Sequence, residues 1–259
     1  MGLSSLSAYE TRLMAVENLT LRDPYFQVSV LQQTPNPQTL IWRAMHQDYS
    51  EEYVGTESFP EETEAGELAI KHLLASKKGH FGPLEHPAIT LAVGFFPHSV
   101  MQQARTHRVG VSFDVQSMRY TGERMRKVVT DEVDPWSVFY SRPAGSYRYK
   151  GKKFEWTEDD RAEELDEFQW LAKRYVEKLD KGIACEHARE GLPFGFRQHF
   201  VVSFSLRAIL HFMDLRSKMD AQDEIRALCS LMWPCVEDWA PEIAEWYKAN
   251  RFGKALLSP

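Results

Sequence analysis

The sequence predicts a mixed α/β (α+β) protein, one domain spanning residues 1–259 with a central β-sheet flanked by helices and a helical C-terminal third. Three observations carry that expectation. Segments at Tyr25–Leu31 and Ile89–Phe96 are alternating or continuously apolar, as strands are, and stretches with helix start and stop signals lie around them. The last third repeats apolar residues at helical spacing. No internal repeat, low-complexity tract or long linker divides the chain, and 43% apolar residues suffice for a substantial core.

Residues 1–20 read as a weakly structured extension, followed by the strand at Tyr25–Leu31. Pro35 and Pro37 then break the chain, and Asn36 is placed to cap a helix that opens at Pro37 and buries Leu40, Ile41, Ala44 and Met45. A second helix is expected from about Glu61 to Lys77, with acids in its first turn, lysines in its last and Gly79 ending it. The loop from Gly79 carries His80, Glu85 and His86 into the strand Ile89–Phe96. A metal site there is disfavoured, because these residues lack the helical i, i+4 ligand repeat and have no second cluster. Pro97 opens a helix with Val100, Met101 and Ala104 on one side, delivering Gln102 and Arg105.

Further on, Lys127-Val-Val reads as a strand, and residues 145–156 as a hairpin insertion that turns at Lys150-Gly151. Its alternating basic and aromatic residues could also stack on a ring. Thr157 with Asp160 makes a capping box for a helix that buries Phe168, Leu171, Ala172 and Tyr175. A turn at Ala184–Glu190 leads through Gly191-Leu-Pro193 and an aromatic segment, Phe194–Phe204, into helices at Ser205–Arg216, Ala221 to about Val236, and Pro241–Asn250. In the first of these, Ser205 is the N-cap, Leu206, Ile209, Leu210 and Met213 form the apolar face, and Arg207, His211 and Asp214 line up as a polar stripe. A surface Arg207–Asp214 pair is the plainest use of that stripe.

Composition narrows the classes of function. No apolar run is long enough to span a membrane and the polar N-terminus lacks a signal-peptide core, so the expected location is cytoplasmic. Cys185, Cys229 and Cys235 are odd in number and lack CxxC spacing, which points to reduced, buried thiols rather than disulfides or zinc. A net charge of −6 disfavours non-specific nucleic-acid binding.

Against that acidic background, Gln102–Tyr120 concentrates Arg105, His107, Arg108 and Arg119 without a single lysine. Guanidinium groups are flat, permanently charged forks suited to phosphate or carboxylate. They interleave with Gln102, Gln103, Ser112, Gln116, Ser117 and Tyr120, neutral groups able to read a base or sugar. An anionic ligand is therefore expected, rather than a merely solvated basic face. His107, set between arginines, should have a lowered pKa.

Taken together, RTHR followed by SxxxxSxRY, then EHAREGLP, then SLRAILHFMDLR resemble the flavin-dependent thymidylate synthases, from about Gly79 to the C-terminus. The resemblance implies that family's own α/β fold, a homotetramer with FAD at active sites on subunit interfaces, and conversion of the nucleotide dUMP to dTMP with methylenetetrahydrofolate as carbon donor and NADPH as reductant. It implies no nucleic-acid or membrane partner. By matching positions it assigns Gln102, Arg105, Ser117, Arg119, Arg189 and Arg216 to dUMP, with Arg216 in the catalytic role of favouring ionisation of the uracil ring. His80, Glu85, Arg105, His107, Arg108, Ser205, Arg207 and His211 fall at FAD positions. The chain departs from the family in the inserted Thr106, in the eight rather than seven residues between Arg108 and Ser117, and in Ser205 and His211, where asparagine is common. The flavin mechanism needs no protein nucleophile, and Cys235 lacks the neighbouring histidine of the cysteine-dependent thymidylate synthases. Two other readings remain open on the residues alone: a non-catalytic RNA or single-strand binding module, and a flavoprotein acting on another nucleotide.

Overall fold

The computed structural model describes residues 23–75, 79–149, 152–218 and 220–252. An edge strand, β1 (Gln27–Gln33), leads to helices α1 (Pro37–Gln47) and α2 (Glu62–Ala69), and α2 runs on into a π-helical turn at Ile70–Leu74. Strand β2 (Ala88–Pro97), helix α3 (His98–Ala104), strand β3 (Val111–Val115) and the short helices α4 (Met118–Thr121) and α5 (Glu123–Val129) follow. A hairpin of β4 (Gly145–Tyr149) and β5 (Lys152–Trp156) precedes the long helix α6 (Glu158–Asp180) and the single turn α7 (Cys185–Ala188). The chain continues through β6 (Arg197–Ser205), α8 (Leu206–Arg216), α9 (Asp223–Trp239) and α10 (Pro241–Asn250).

The main sheet is antiparallel, in the order β1-β2-β6-β3. Its inner strand β6 lies in the aromatic segment for which no element was expected. The signal was there: Phe200, Val202 and Phe204 are buried at a spacing of two, and His199, Val201 and Ser203 face the other side. Lys127-Val-Val, expected as a strand, is instead the last turn of α5, where Met125 and Val128 enter the core at i, i+3. The capping box at Thr157–Asp160 forms in both directions, at 2.8 and 3.0 Å. The turn between β4 and β5 and the lysine-bearing end of the second expected helix lie outside the described residues.

Asn36 does not cap α1. Its backbone is left-handed (φ 48°) and its side chain makes no cap bond. The Glu62 carboxylate, from the first turn of α2, instead accepts from the N–H groups of Gln38 and Thr39 at 2.7 and 2.9 Å. Fully buried Gln38 then donates through Nε2 to the Glu62 carbonyl and to Glu242, and accepts through Oε1 from the Ile243 N–H in the first turn of α10. Free N–H groups at the starts of α1 and α10 are thus satisfied by side chains of α2 and α1, which ties the three helix starts together.

One face of the sheet packs against α1, α3, α8, α9 and α10 in the larger apolar core. A second core, around Phe139, Phe168 and Tyr175, joins α4 to α7. Arg197, at the start of β6, lies between them, 2% exposed. Its Nη2 donates to Asp23 at 2.7 Å, its Nη1 to the Phe95 carbonyl at 2.7 Å, and its Nε to the carbonyls of Trp136 and Phe139. The Phe95 carbonyl is available because β2 bulges between Val93 and Phe96, with Phe95 at φ 66°. Removing one partner of a buried ion pair leaves the other charge uncompensated, which typically costs about 3–5 kcal/mol. Arg197→Met should destabilise the protein by that amount in urea titrations, and a loss below about 1 kcal/mol would show that Asp23 and the three carbonyls do not depend on it.

Candidate active site

The arginine-rich stretch folds as the end of α3, a turn at residues 105–110, and β3. Gly110 is required twice in that turn: its φ is +66°, and an added Cβ would meet the Ser205 Oγ at 2.6 Å. The turn is thereby pressed onto the start of α8.

On one side of this turn, α3, the end of β3 and the residues after α7 enclose a cavity of about 530 Å³. It brings together Gln102, Arg105, Ser117 and Arg189, residues far apart in sequence that were all expected to face the nucleotide. Neither Arg105 nor Arg189 has an ion-pair partner among the described residues. The Ser117 Oγ accepts from the Arg119 N–H at 3.3 Å, as the cap of α4. The cavity also recruits His98, Gln116, Gln198 and Phe194, which the sequence reading did not assign. His98 could have been found, since it sits four residues before Gln102 on one helix. Gln198 was hidden because β6 itself was not recognised. Glu186 shares the wall, its carboxyl held below the ordinary range chiefly by its own backbone N–H, with the Cys185 thiol, Arg119 and His187 contributing less.

Arg119 is exposed and does not line this cavity. Neither does Arg216, which the structure places beyond the 103–107 segment. Its Nε donates to His107 Nε2 at 3.0 Å and its Nη2 to the Gln103 carbonyl and the Thr106 hydroxyl at 3.2 and 2.7 Å. All three acceptors are neutral, so none offsets the Arg216 charge, and its Nη1 makes no hydrogen bond among the described residues. The inserted Thr106 is part of that seat. His107 is buried and its pKa is lowered to about 4, first by burial and then by Arg216 and His211 rather than by its sequence neighbours.

The residues expected to hold FAD divide. Glu85, Ser205, Arg207 and His211 line a second cavity of about 220 Å³ with Val109, Gly110 and Ala208. His107 stands behind His211 with ring centres 5.4 Å apart, whereas Arg105 belongs to the first cavity. Arg108 is exposed, with no ion-pair partner among the described residues. His80 lies elsewhere, bonded to Asp48 at 2.7 Å. The polar stripe on α8 is not continuous: Arg207 turns to Glu85 at 2.5 Å, and Asp214 is buried against Tyr247 and Arg251, so no Arg207–Asp214 pair exists. The donor set fits a flavin nucleotide along one edge. Arg207, Arg108 and the Ser205 hydroxyl suit phosphate or hydroxyl groups, and the buried His211 Nδ1 has no hydrogen-bond partner among the described residues. A cavity this small holds only part of such a molecule.

Of the cysteines, only Cys229 is buried, and Cys185 and Cys235 are half-buried. Burial pushes the Cys229 thiol far above its ordinary pKa and raises that of Cys235. Neither presents a thiolate at neutral pH.

An antiparallel sheet backed by helices, with Arg105 and Arg189 sharing the wall of one cavity with Glu186 and Glu190, defines an α/β protein with a charged candidate ligand site. Residues 29–242 match the family model described as thymidylate synthase complementing protein. The flavin-dependent thymidylate synthase of Haloarcula marismortui is 35% identical over 90% of this chain and 99% of its own length, and that of Halobacterium salinarum 32% identical over the same shares. The crystal structure of PolB, a UMP/dUMP methylase from Streptomyces cacaoi bound with 5-Br dUMP, shares the fold with a TM-score of 0.69 at 23% identity, over 90% of this chain and 97% of that one. This chain belongs to the flavin-dependent thymidylate synthase family.

The lowered His107 pKa carries a stability consequence. Between about pH 6.5, where an unfolded histidine titrates, and about pH 4, the unfolded chain binds more protons than the folded one. The contribution is therefore complete above pH 6.5 and is lost as pH falls toward 4, and His98, His199 and His211, lowered mainly by burial, act in the same direction. His107→Gln should lose less stability than wild type between neutral pH and about pH 5, read from urea midpoints at each pH. Equal losses in the two proteins would contradict the assignment.

Proposed function

We propose that this protein is a thymidylate synthase that converts dUMP to dTMP, using FAD, with methylenetetrahydrofolate as carbon donor and NADPH as reductant, in the cytoplasm. The observation that carries this reading is the convergence of Arg105, Arg189, Gln102 and Ser117 on one cavity large enough for a nucleotide. The two guanidinium forks and the Ser117 hydroxyl suit the phosphate dianion, and Gln102 suits the edge of the base. Arg108, Ser205, Arg207 and His211 would hold the flavin, which when bound supplies the hydride that completes the methyl group. The protein's part is to orient the reacting rings, exclude water and stabilise charge on the pyrimidine. Arg216, seated on neutral acceptors, is suited to that last role. No cysteine nucleophile is required, in keeping with the raised Cys229 and Cys235 thiols.

Purified protein should show a flavin spectrum that is lost on denaturation, and should release tritium from C5-labelled dUMP only when the folate and reductant are present. Arg189→Ala removes a charge-assisted bond worth roughly 1.5–3 kcal/mol and should raise KM for dUMP about ten- to a hundredfold with flavin content unchanged. A colourless protein that binds single-stranded RNA instead would reject the enzyme reading.

The assembly proposed is a homotetramer with active sites shared between subunits. Its support is that Arg105 and Arg189 face one side of the 103–110 segment, whereas Arg207 and Arg216 lie on the other. Mixing Arg105→Ala subunits with Arg207→Ala subunits should restore part of the activity that each variant lacks. Verified mixed assemblies with no recovery would point to a self-contained protomer.

A further inference from the structure

We infer that His98 is a positioning residue that fixes the polarity of the Gln102 amide, and so selects a pyrimidine with an imide edge over one with an amino edge; this rests on the nucleotide reading above. The polarity begins at a main-chain oxygen. The Gln116 carbonyl can only accept, and the Gln198 Nε2 donates to it at 3.1 Å. Gln198 is 4% exposed, and with its amide nitrogen so committed its Oε1 faces His98 Nδ1 at 2.6 Å. Nδ1 must therefore carry the proton. A neutral imidazole has one N–H, which leaves Nε2 as an acceptor, and the Gln102 Nε2 donates to it at 2.6 Å. The neutral form is favoured because the His98 pKa is lowered, by burial first, against the Gln198 bond and with the help of Arg105. The imidazole is also held in plane, stacked on Phe196 with ring centres 4.7 Å apart at 19°.

Every link in this chain is set by the one before it, and the free end is the Gln102 Oε1, an acceptor on the cavity wall. The neutral uracil ring that first binds, before charge develops on it, offers that acceptor its N3–H, and its neighbouring C4 carbonyl can take the remaining N–H of the same amide. A cytosine ring presents the reverse at these two atoms, a bare N3 and an amino group, and so sets acceptor against acceptor and donor against donor. An unrestrained glutamine could rotate its amide and accept either ring. One pinned to His98 cannot.

The test is competition binding of dUMP and dCMP to the purified flavin-loaded protein, as wild type, His98→Phe and Gln198→Met. His98→Phe keeps a ring on Phe196 but removes the acceptor, and Gln198→Met cuts the relay at its anchor should the first variant fold poorly. Wild type should favour dUMP by about tenfold, the scale of one hydrogen bond made or left unmade. In either variant the dUMP to dCMP ratio should fall severalfold toward unity. Loss of general packing would weaken both nucleotides alike, so an unchanged ratio in folded variants overturns the inference while leaving the dUMP reading intact. Wild-type protein that binds neither nucleotide takes both down.

Discussion

Asp23 and Arg197 face each other across 2.7 Å of protein interior from which water is excluded, and the rest of the fold is arranged around that contact. Burying two charges is favourable only if every remaining donor is also satisfied. The Arg197 guanidinium comes close to that condition: all three of its nitrogens are bonded, to Asp23 and to the Phe95, Trp136 and Phe139 carbonyls that it draws inward. Those carbonyls belong to the bulge of β2 and to the segment that leads into the smaller core. The register of the sheet and the seating of α6 are thus tied to one side chain. Its neighbour Gln198 is bonded to His98 on the wall of the larger cavity, so the same strand start that joins the two cores also reaches the candidate site.

Two groups of arginines in this protein do different work. Arg142 is paired with Glu224 and Asp223, Arg251 with Asp214, and Arg197 with Asp23; these contribute to the architecture. Arg105, Arg108, Arg189 and Arg216 have no ion-pair partner among the described residues. Cations held near one another without counter-charges weaken the folded state, and a bound dianion would offset that weakness because it stabilises whichever state it binds. Arg207 is intermediate, paired with Glu85 on the wall of the second cavity.

Most helices were legible from the sequence because their signals are local. The Thr157–Asp160 box, Ser205 as a cap and Pro97 before α3 each act within one turn of chain. The elements that were missed depend on distant partners. Strand β6 is defined by the neighbours on both its edges, and its period of two was masked by adjoining helical segments. Asn36 looked like a cap because nothing near it in sequence announced Glu62. Of the residues expected to face the nucleotide, Gln102, Arg105, Ser117 and Arg189 were legible as a set by their chemistry, and they share one cavity. His98 and Gln198 were not, because what they do is pass hydrogen-bond polarity from one residue to the next, and a histidine and a glutamine 100 positions apart carry no such signal. Asp214 was misplaced for a related reason, since its partners Tyr247 and Arg251 come from the chain's last described helix and the turn that ends it.

The knot of helix starts at Gln38 bears on how this protein comes to exist at all. Caps normally lie within a few residues of the helix they serve, so a helix can be stabilised while its sequence is still emerging from the ribosome. Here α1 takes its cap from a residue 24 positions on, and the Gln38 amide is fully engaged only by residues more than 200 positions on. Until α10 has been made, the first helix is held in part by groups that have no partner. The larger apolar core, to which α10 contributes Ile243, Ala244 and Tyr247, is likewise complete only once that helix has been made. A chain cut short before Pro241 would lose its last helix and, with it, the closure of its first.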